Sequence, residues 1–149
     1  MTAPPDLPIV LLVEDNADLR EILLVALQPL GPFRMVGAAN GLEGLEQCLE
    51  LRPQCVVLDV MMPEINGYQL VRALRGDPET AATPVIILSA LAEHKDQFAG
   101  LAAGVDHYVI KPVMPQDLVA TIRTAIALSE AERLQRWQAL LEAAPPAAE

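Results

Sequence analysis

Five side chains of the types that move phosphoryl groups stand at the ends of apolar runs. Glu14 and Asp15 follow Ile9–Val13, and Asp59 follows Cys55–Leu58. Ser89 follows Val85–Leu88, and Lys111 follows Tyr108–Ile110. Taken singly, each has an ordinary explanation: an acid or hydroxyl after a strand caps a helix or turn, and a lysine is a solvated charge. Taken together they form a chemical set. Three carboxylates at one sheet edge are a hard-oxygen site, and magnesium suits it, needing one or two carboxylates beside water and phosphate oxygens. Lys111 precedes Pro112, whose peptide bond has an accessible cis form that can aim the preceding side chain inward. A carboxylate nucleophile, a metal, and a hydroxyl and ammonium to neutralise phosphoryl oxygens are the parts phosphoryl transfer needs.

Only a fold that gathers these ends can make use of them. Strand-like runs at Ile9–Val13, Phe33–Ala38, Cys55–Leu58, Val85–Leu88 and Tyr108–Ile110 alternate with helical patterns at Ala17–Gln28, Leu42–Leu51, Gly67–Arg75, Glu93–Ala103 and Gln116 onward. Asn40 with Glu43 resembles a capping box, Asn66 suits the start of the third helix, and Pro115 suits a first turn. Gly76 and Gly104 can take the left-handed conformation just past helix ends. Five strands alternating with five helices predict a doubly wound α/β domain: a five-stranded parallel sheet in the order 2-1-3-4-5, flavodoxin-like, with helices on both faces. In that order the crevice lies beyond the carboxyl ends of strands one and three, where Glu14, Asp15 and Asp59 stand.

Composition narrows the function. The chain has 149 residues, is 52% hydrophobic but only 3% aromatic, and carries a formal net charge of −10. Such a domain repels phosphate backbones, so nucleic-acid binding by it alone is not expected, nor is binding to a membrane surface. No apolar run reaches the length of a bilayer span and no signal peptide is legible, so a cytoplasmic location is expected. Cys48 and Cys55 sit among apolar residues and read as small hydrophobes. The expected organisation is a disordered leader at 1–8, a domain at 9–128, a helical extension at 129–144 and a disordered tail at 145–149.

The motifs VEDN at 13–16, LDVMMPEINGYQL at 58–70, PVIILSA at 84–90 and AGVDHYVIKP at 103–112 resemble, in order and spacing, the receiver domain of bacterial two-component response regulators. The resemblance covers roughly residues 8 to 128. It implies that Asp59 accepts a phosphoryl group from a histidine kinase or histidine phosphotransfer protein. It implies that magnesium is held by Asp15, Asp59 and the Met61 backbone carbonyl, with Glu14 acting through water. Lys111 would pair with Asp59 and then with the phosphoryl group across a cis Lys111–Pro112 bond, and Ser89 would donate its hydroxyl to a phosphoryl oxygen. Tyr108 would be the switch aromatic that turns inward when Ser89 moves. Phosphorylation would then alter the surface of the fourth helix, fifth strand and fifth helix. Such a domain catalyses its own phosphorylation and dephosphorylation and is otherwise no enzyme. Val113 and Met114 depart from the family, which often has Phe and a capping Asp there. His94 and His107 match nothing in its pattern and read as surface residues.

Rival classes fare worse. A magnesium-dependent phosphatase with an Asp nucleophile places a second acid two residues on, where this chain has Met61. A nucleotide binder needs a Gly-rich loop after the first strand. A receiver that no longer takes phosphate would lack the Asp, Lys or hydroxyl. Met61 and Leu91 flank the path of hydrolytic water in the family and are apolar here, which implies a long-lived acyl phosphate. From Gln116 to Ala144 there is neither Gly nor Pro, so propensity allows one extended C-terminal helix. Leu118, Ile122 and Ile126 form its first apolar face. Leu134, Trp137 and Leu141 form a second, surrounded by Glu130, Glu132, Arg133 and Arg136, which suggests a protruding helix able to pair as a homodimer. Folding back onto the domain is the alternative.

Overall fold

The computed structural model describes residues 7–62, 64–90 and 103–143. Strand β1 (Ile9–Val13) is the buried apolar run of the first motif, and helix α1 (Ala17–Leu27) follows it, capped by the Asn16 side chain accepting from the Leu19 amide. Then come β2 (Arg34–Ala38), α2 (Gly41–Leu51), β3 (Cys55–Leu58), α3 (Gly67–Gly76), β4 (Val85–Ser89), β5 (His107–Ile110), α4 (Pro115–Ala127) and α5 (Glu130–Ala143). The sheet order is β2-β1-β3-β4-β5, all parallel, as the alternation predicts. The register sets Val13 opposite Leu58 and Ser89 opposite Ile110, which brings the carboxyl ends of these strands to one edge.

A strand buried on both faces sends alternate residues into two layers. Leu11, Val13, Val56, Leu58, Val85 and Ile87 pack with Cys48 of α2 and Leu70, Val71 and Leu74 of α3. Val10, Leu12, Val57, Ile86 and Leu88 pack with Leu27 of α1 and Leu118, Val119 and Ile122 of α4. With so few aromatics, branched aliphatic side chains fill both layers. Cys48 and Cys55 are free and buried, as expected of small hydrophobes.

Caps set several boundaries. Asn40 accepts from the Glu43 amide, but the Glu43 carboxylate takes the Gln47 side chain and not the cap amide, so the box is half made. Asn66 and Gln69 make the full reciprocal box at α3. Gly104 takes φ 104°, the left-handed conformation expected of it. Gly76 does not: it is the last residue of α3, and the chain leaves through Asp77 in extended conformation.

The single extended C-terminal helix is not what forms. The chain breaks at Leu128, whose backbone is extended, and restarts at α5. The cause is a second capping box: the Ser129 hydroxyl accepts from the Glu132 amide at 3.1 Å, and the Glu132 carboxylate accepts from the Ser129 amide at 3.2 Å. Helix α5 folds back onto its own domain. Arg133 pairs with Asp106 at 2.7 Å and also reaches the Ala82 carbonyl, and Arg136 reaches the Asp106 carbonyl and His107. His107 is therefore no surface residue; it is half-buried beneath this helix. Leu91, His94 and the Glu93–Ala103 pattern up to residue 102 lie outside the described residues, as do residues 1–6 of the leader and 144–149 of the tail.

Candidate functional site

Glu14 continues β1 by one residue, its amide bonded to the Ala38 carbonyl at 3.1 Å. Its side chain is turned into the molecule and is only 4% exposed. Burial pushes this carboxyl above the ordinary carboxylate range, and the hydrogen bond from the Asn16 amide at 3.2 Å opposes that shift in part. The Glu14 carbonyl accepts from the Arg20 guanidinium at 2.8 Å, which ties the strand end to α1. Asp15, one residue on, is exposed. Asp59 continues β3 in the same way, its amide bonded to the Val13 carbonyl at 3.3 Å. Oδ1 of Asp59 accepts from the Met61 amide at 2.9 Å, which fixes the carboxylate's orientation.

Lys111 joins the two acids. Its Nζ lies 2.8 Å from Asp59 Oδ2 and 3.5 Å from Glu14 Oε1. Burial alone would lower the pKa of this ammonium. The hydrogen bond and charge of Asp59, with Glu14 behind it, outweigh burial and raise it. The side chain reaches inward from a cis Lys111–Pro112 bond, as expected of this pair. The Lys111 amide donates to the Ser89 carbonyl at 2.7 Å, so the hydroxyl-bearing and ammonium-bearing residues are locked side by side. Ser89 is fully buried. Tyr108 lies opposite Ile87 and packs against the layer that holds Leu58 and Val60. Met114 caps α4 with no side-chain bond, so the capping Asp it replaces has no substitute in kind.

The structure thus brings Glu14, Asp59 and Lys111 into contact and sets Ser89 beside Lys111. Sequence patterns had no means of assigning Arg20, whose grip on the Glu14 carbonyl depends on the turn between β1 and α1. Gly67 was likewise read only as a helix start. A Cβ there would lie 2.6 Å from the Asp59 carbonyl oxygen, so α3 begins against the backbone of the acid itself.

A doubly wound parallel sheet with acids and a lysine at its carboxyl edge defines a small class of phosphoryl-handling modules, and comparison with known proteins places the chain within it. The chain belongs to the response regulator receiver domain family, whose model matches residues 10–123. It is 39% identical over 117 residues to a probable transcriptional regulator, ycf27, of Guillardia theta, covering 78% of this chain and 44% of that one. Among solved structures it resembles a putative response regulator from Chloroflexus aurantiacus, with a TM-score of 0.77 and 32% identity over 83% of this chain and all of that one. It also resembles the chemotaxis response regulator CheY4 of Vibrio cholerae, with a TM-score of 0.74 and 28% identity over 80% of this chain and 99% of that one. The chain spans about half the length of the curated relatives it matches. Among the described residues, no helix is long and apolar enough to cross a membrane.

Proposed function

We propose that this receiver domain takes a phosphoryl group on Asp59 from a phosphohistidine donor, a histidine kinase or a histidine phosphotransfer protein, in a magnesium-dependent reaction. The observation that carries this is the Lys111 ammonium bridging Asp59 and the buried Glu14. Two acids held at one edge against a single ammonium leave an uncompensated negative charge, which a dication relieves. No three acidic side chains among the described residues converge on one point. Magnesium would be held there by Asp15, Asp59 and the Met61 carbonyl with water, and by Glu14 through water, the pattern of an ion that keeps several of its waters. Bound there, magnesium would supply charge neutralisation for the phosphoryl oxygens.

The remaining work falls to side chains. An Asp59 carboxylate oxygen attacks phosphorus as the donor's P–N bond breaks, and the donor imidazole, already protonated on its other ring nitrogen, leaves neutral. Met61's amide and Lys111 hold the carboxylate in line before attack. Lys111 then turns from the carboxylate to a phosphoryl oxygen, and Ser89 donates its hydroxyl to another. The Ser89 movement lets Tyr108 pack inward, which shifts a pre-existing equilibrium and remodels the surface around β5 and α4.

Incubation with acetyl phosphate and magnesium should add one phosphoryl group, read by intact-protein mass. Asp59→Asn should abolish the uptake and EDTA suppress it. Uptake by Asp59→Asn at the wild-type rate would overturn the assignment.

A further inference from the structure

At the opposite, amino edge of the sheet, helix α5 is held by arginines. Arg133 grips the Asp106 carboxylate at 2.7 and 3.0 Å. Arg136 reaches the Asp106 carbonyl, and its NH2 lies 3.1 Å from Nδ1 of His107. A guanidinium has donors only, so Nδ1 must offer its lone pair and the ring proton must sit on Nε2. That Nε2 is buried and meets no hydrogen-bonding partner among the described residues. The docked helix therefore accommodates one form of the ring: neutral, with its proton on Nε2. A second proton would have to bind Nδ1, the atom that faces Arg136. It would remove the acceptor and set cation against cation, away from water.

We propose that His107 and Arg136 form a proton-operated latch, which holds α5 against the amino edge of the sheet near neutral pH and releases it on acidification. The charges around the ring favour this. Arg133 and Arg136 approach from α5, and Asp106, just before β5, is the one carboxylate among the described residues acting on the ring. Asp106 is itself engaged by Arg75 of α3 and Arg133. From α4 and the break after it the neighbours are apolar, Ala125 and Leu128. The buried Cys55 thiol of β3, near Asp106 and Arg133, stays neutral. Burial, then Arg136, press the imidazole below its ordinary 6.5, and Asp106 only partly opposes them. When α5 lifts, both arginines leave and the ring regains water and its ordinary basicity. By linkage, docking is strongest above 6.5. It weakens as pH falls from there to the depressed value of the docked state, below which the penalty is constant.

The full chain carries its own probe: Trp137 is the sole tryptophan, and it lines the same crevice as His107 and Leu128. A His94→Gln background leaves one imidazole to follow by NMR. Between pH 8 and 5, Trp137 emission should shift with a midpoint below 6.5 that matches the His107 titration, while core methyl resonances of Leu11 and Ile87 hold. His107→Phe should lose that transition. Arg136→Gln should raise the His107 midpoint by about one unit, a tenfold gain in proton affinity. A His107 midpoint at or above 6.5 in the parent chain would overturn the latch. So would an emission transition that survives in His107→Phe. Should that variant fail to fold, an unmoved midpoint in Arg136→Gln would overturn it instead.

Discussion

Neutralising Asp106 tests how much of the domain's stability is concentrated at the amino edge of the sheet. Its Oδ2 accepts from the Val85 amide at 2.8 Å, Arg75 at 3.1 Å and Arg133 at 3.0 Å, and its Oδ1 accepts from Arg133 Nε at 2.7 Å. Asp106 and Arg133 side chains are each 12% exposed and Arg75 is 21% exposed, so little solvent screens the group. Asp106→Asn keeps the shape and one acceptor, but its amide nitrogen must face a donor. Arg75 retains the carbonyls of Gly104, Ala81 and Thr83, whereas Arg133 retains, among the described residues, only that of Ala82. Burial already disfavours the Arg75 cation, and Asp106 is what offsets it. Stranding buried cations in this way costs about 3–5 kcal/mol, about a fifth or more of a typical domain's stability of roughly 5–15 kcal/mol. Urea unfolding near pH 7.5, followed by circular dichroism, should show a lower midpoint at unchanged slope. In an Arg133→Met background one cation is gone, and the cost of Asp106→Asn should fall by about 1–2 kcal/mol. A loss under about 1 kcal/mol, or the same loss in both backgrounds, would refute the hub.

Two further outcomes follow from packing. Gly67→Ala forces a Cβ to 2.6 Å from the Asp59 carbonyl and 2.8 Å from the Val60 Cα. It should destabilise by about 1–3 kcal/mol and slow phosphoryl uptake, whereas Gly76→Ala, with nothing within 4 Å of its Cβ, should do neither; equal behaviour of the two variants would contradict the close approach. Burial pushes the Cys48 thiol up to about 12 and Cys55 higher still, with Asp106 adding to burial there. At pH 8 the Cys48 thiolate fraction is then about 10⁻⁴. Both thiols should resist alkylation until urea unfolds the chain, and rapid labelling in native buffer would disprove their enclosure.

The sheet and its chemical edge were legible because they depend on local patterns and short spacings. Runs of three to six mainly apolar residues mark the strands, and a polar residue after four of the five marks the carboxyl edge. The extension was misjudged for a reason equally local. From Gln116 onward every residue tolerates a helix, and propensity alone sees no break. Ser129 and Glu132 form the same box that Asn40 and Glu43 suggested, yet inside a helix-forming run their signature does not stand out. Arg133 and Arg136 read only as charges around the second apolar face, because nothing in sequence pairs them with Asp106 and His107. Those contacts exist only once α5 has turned back. His107 was misplaced with them: a polar residue opening a strand looks exposed until a helix covers it. Gly76 erred differently, since the helix ends in extended Asp77 and needs no left-handed residue.

The alternation of the strands has a consequence for how this chain can change. Val56 and Val57 are neighbours along the backbone, yet one belongs with Cys48 and Leu70 and the other with Leu27 and Ile122. The sheet is a partition wall between two rooms. A methyl group lost in one room is felt by its occupants and scarcely by those across the wall. Each layer can therefore drift in sequence at its own pace, provided the hydrogen-bonded wall between them keeps its register. The acids and lysine are mounted on the rim of that wall.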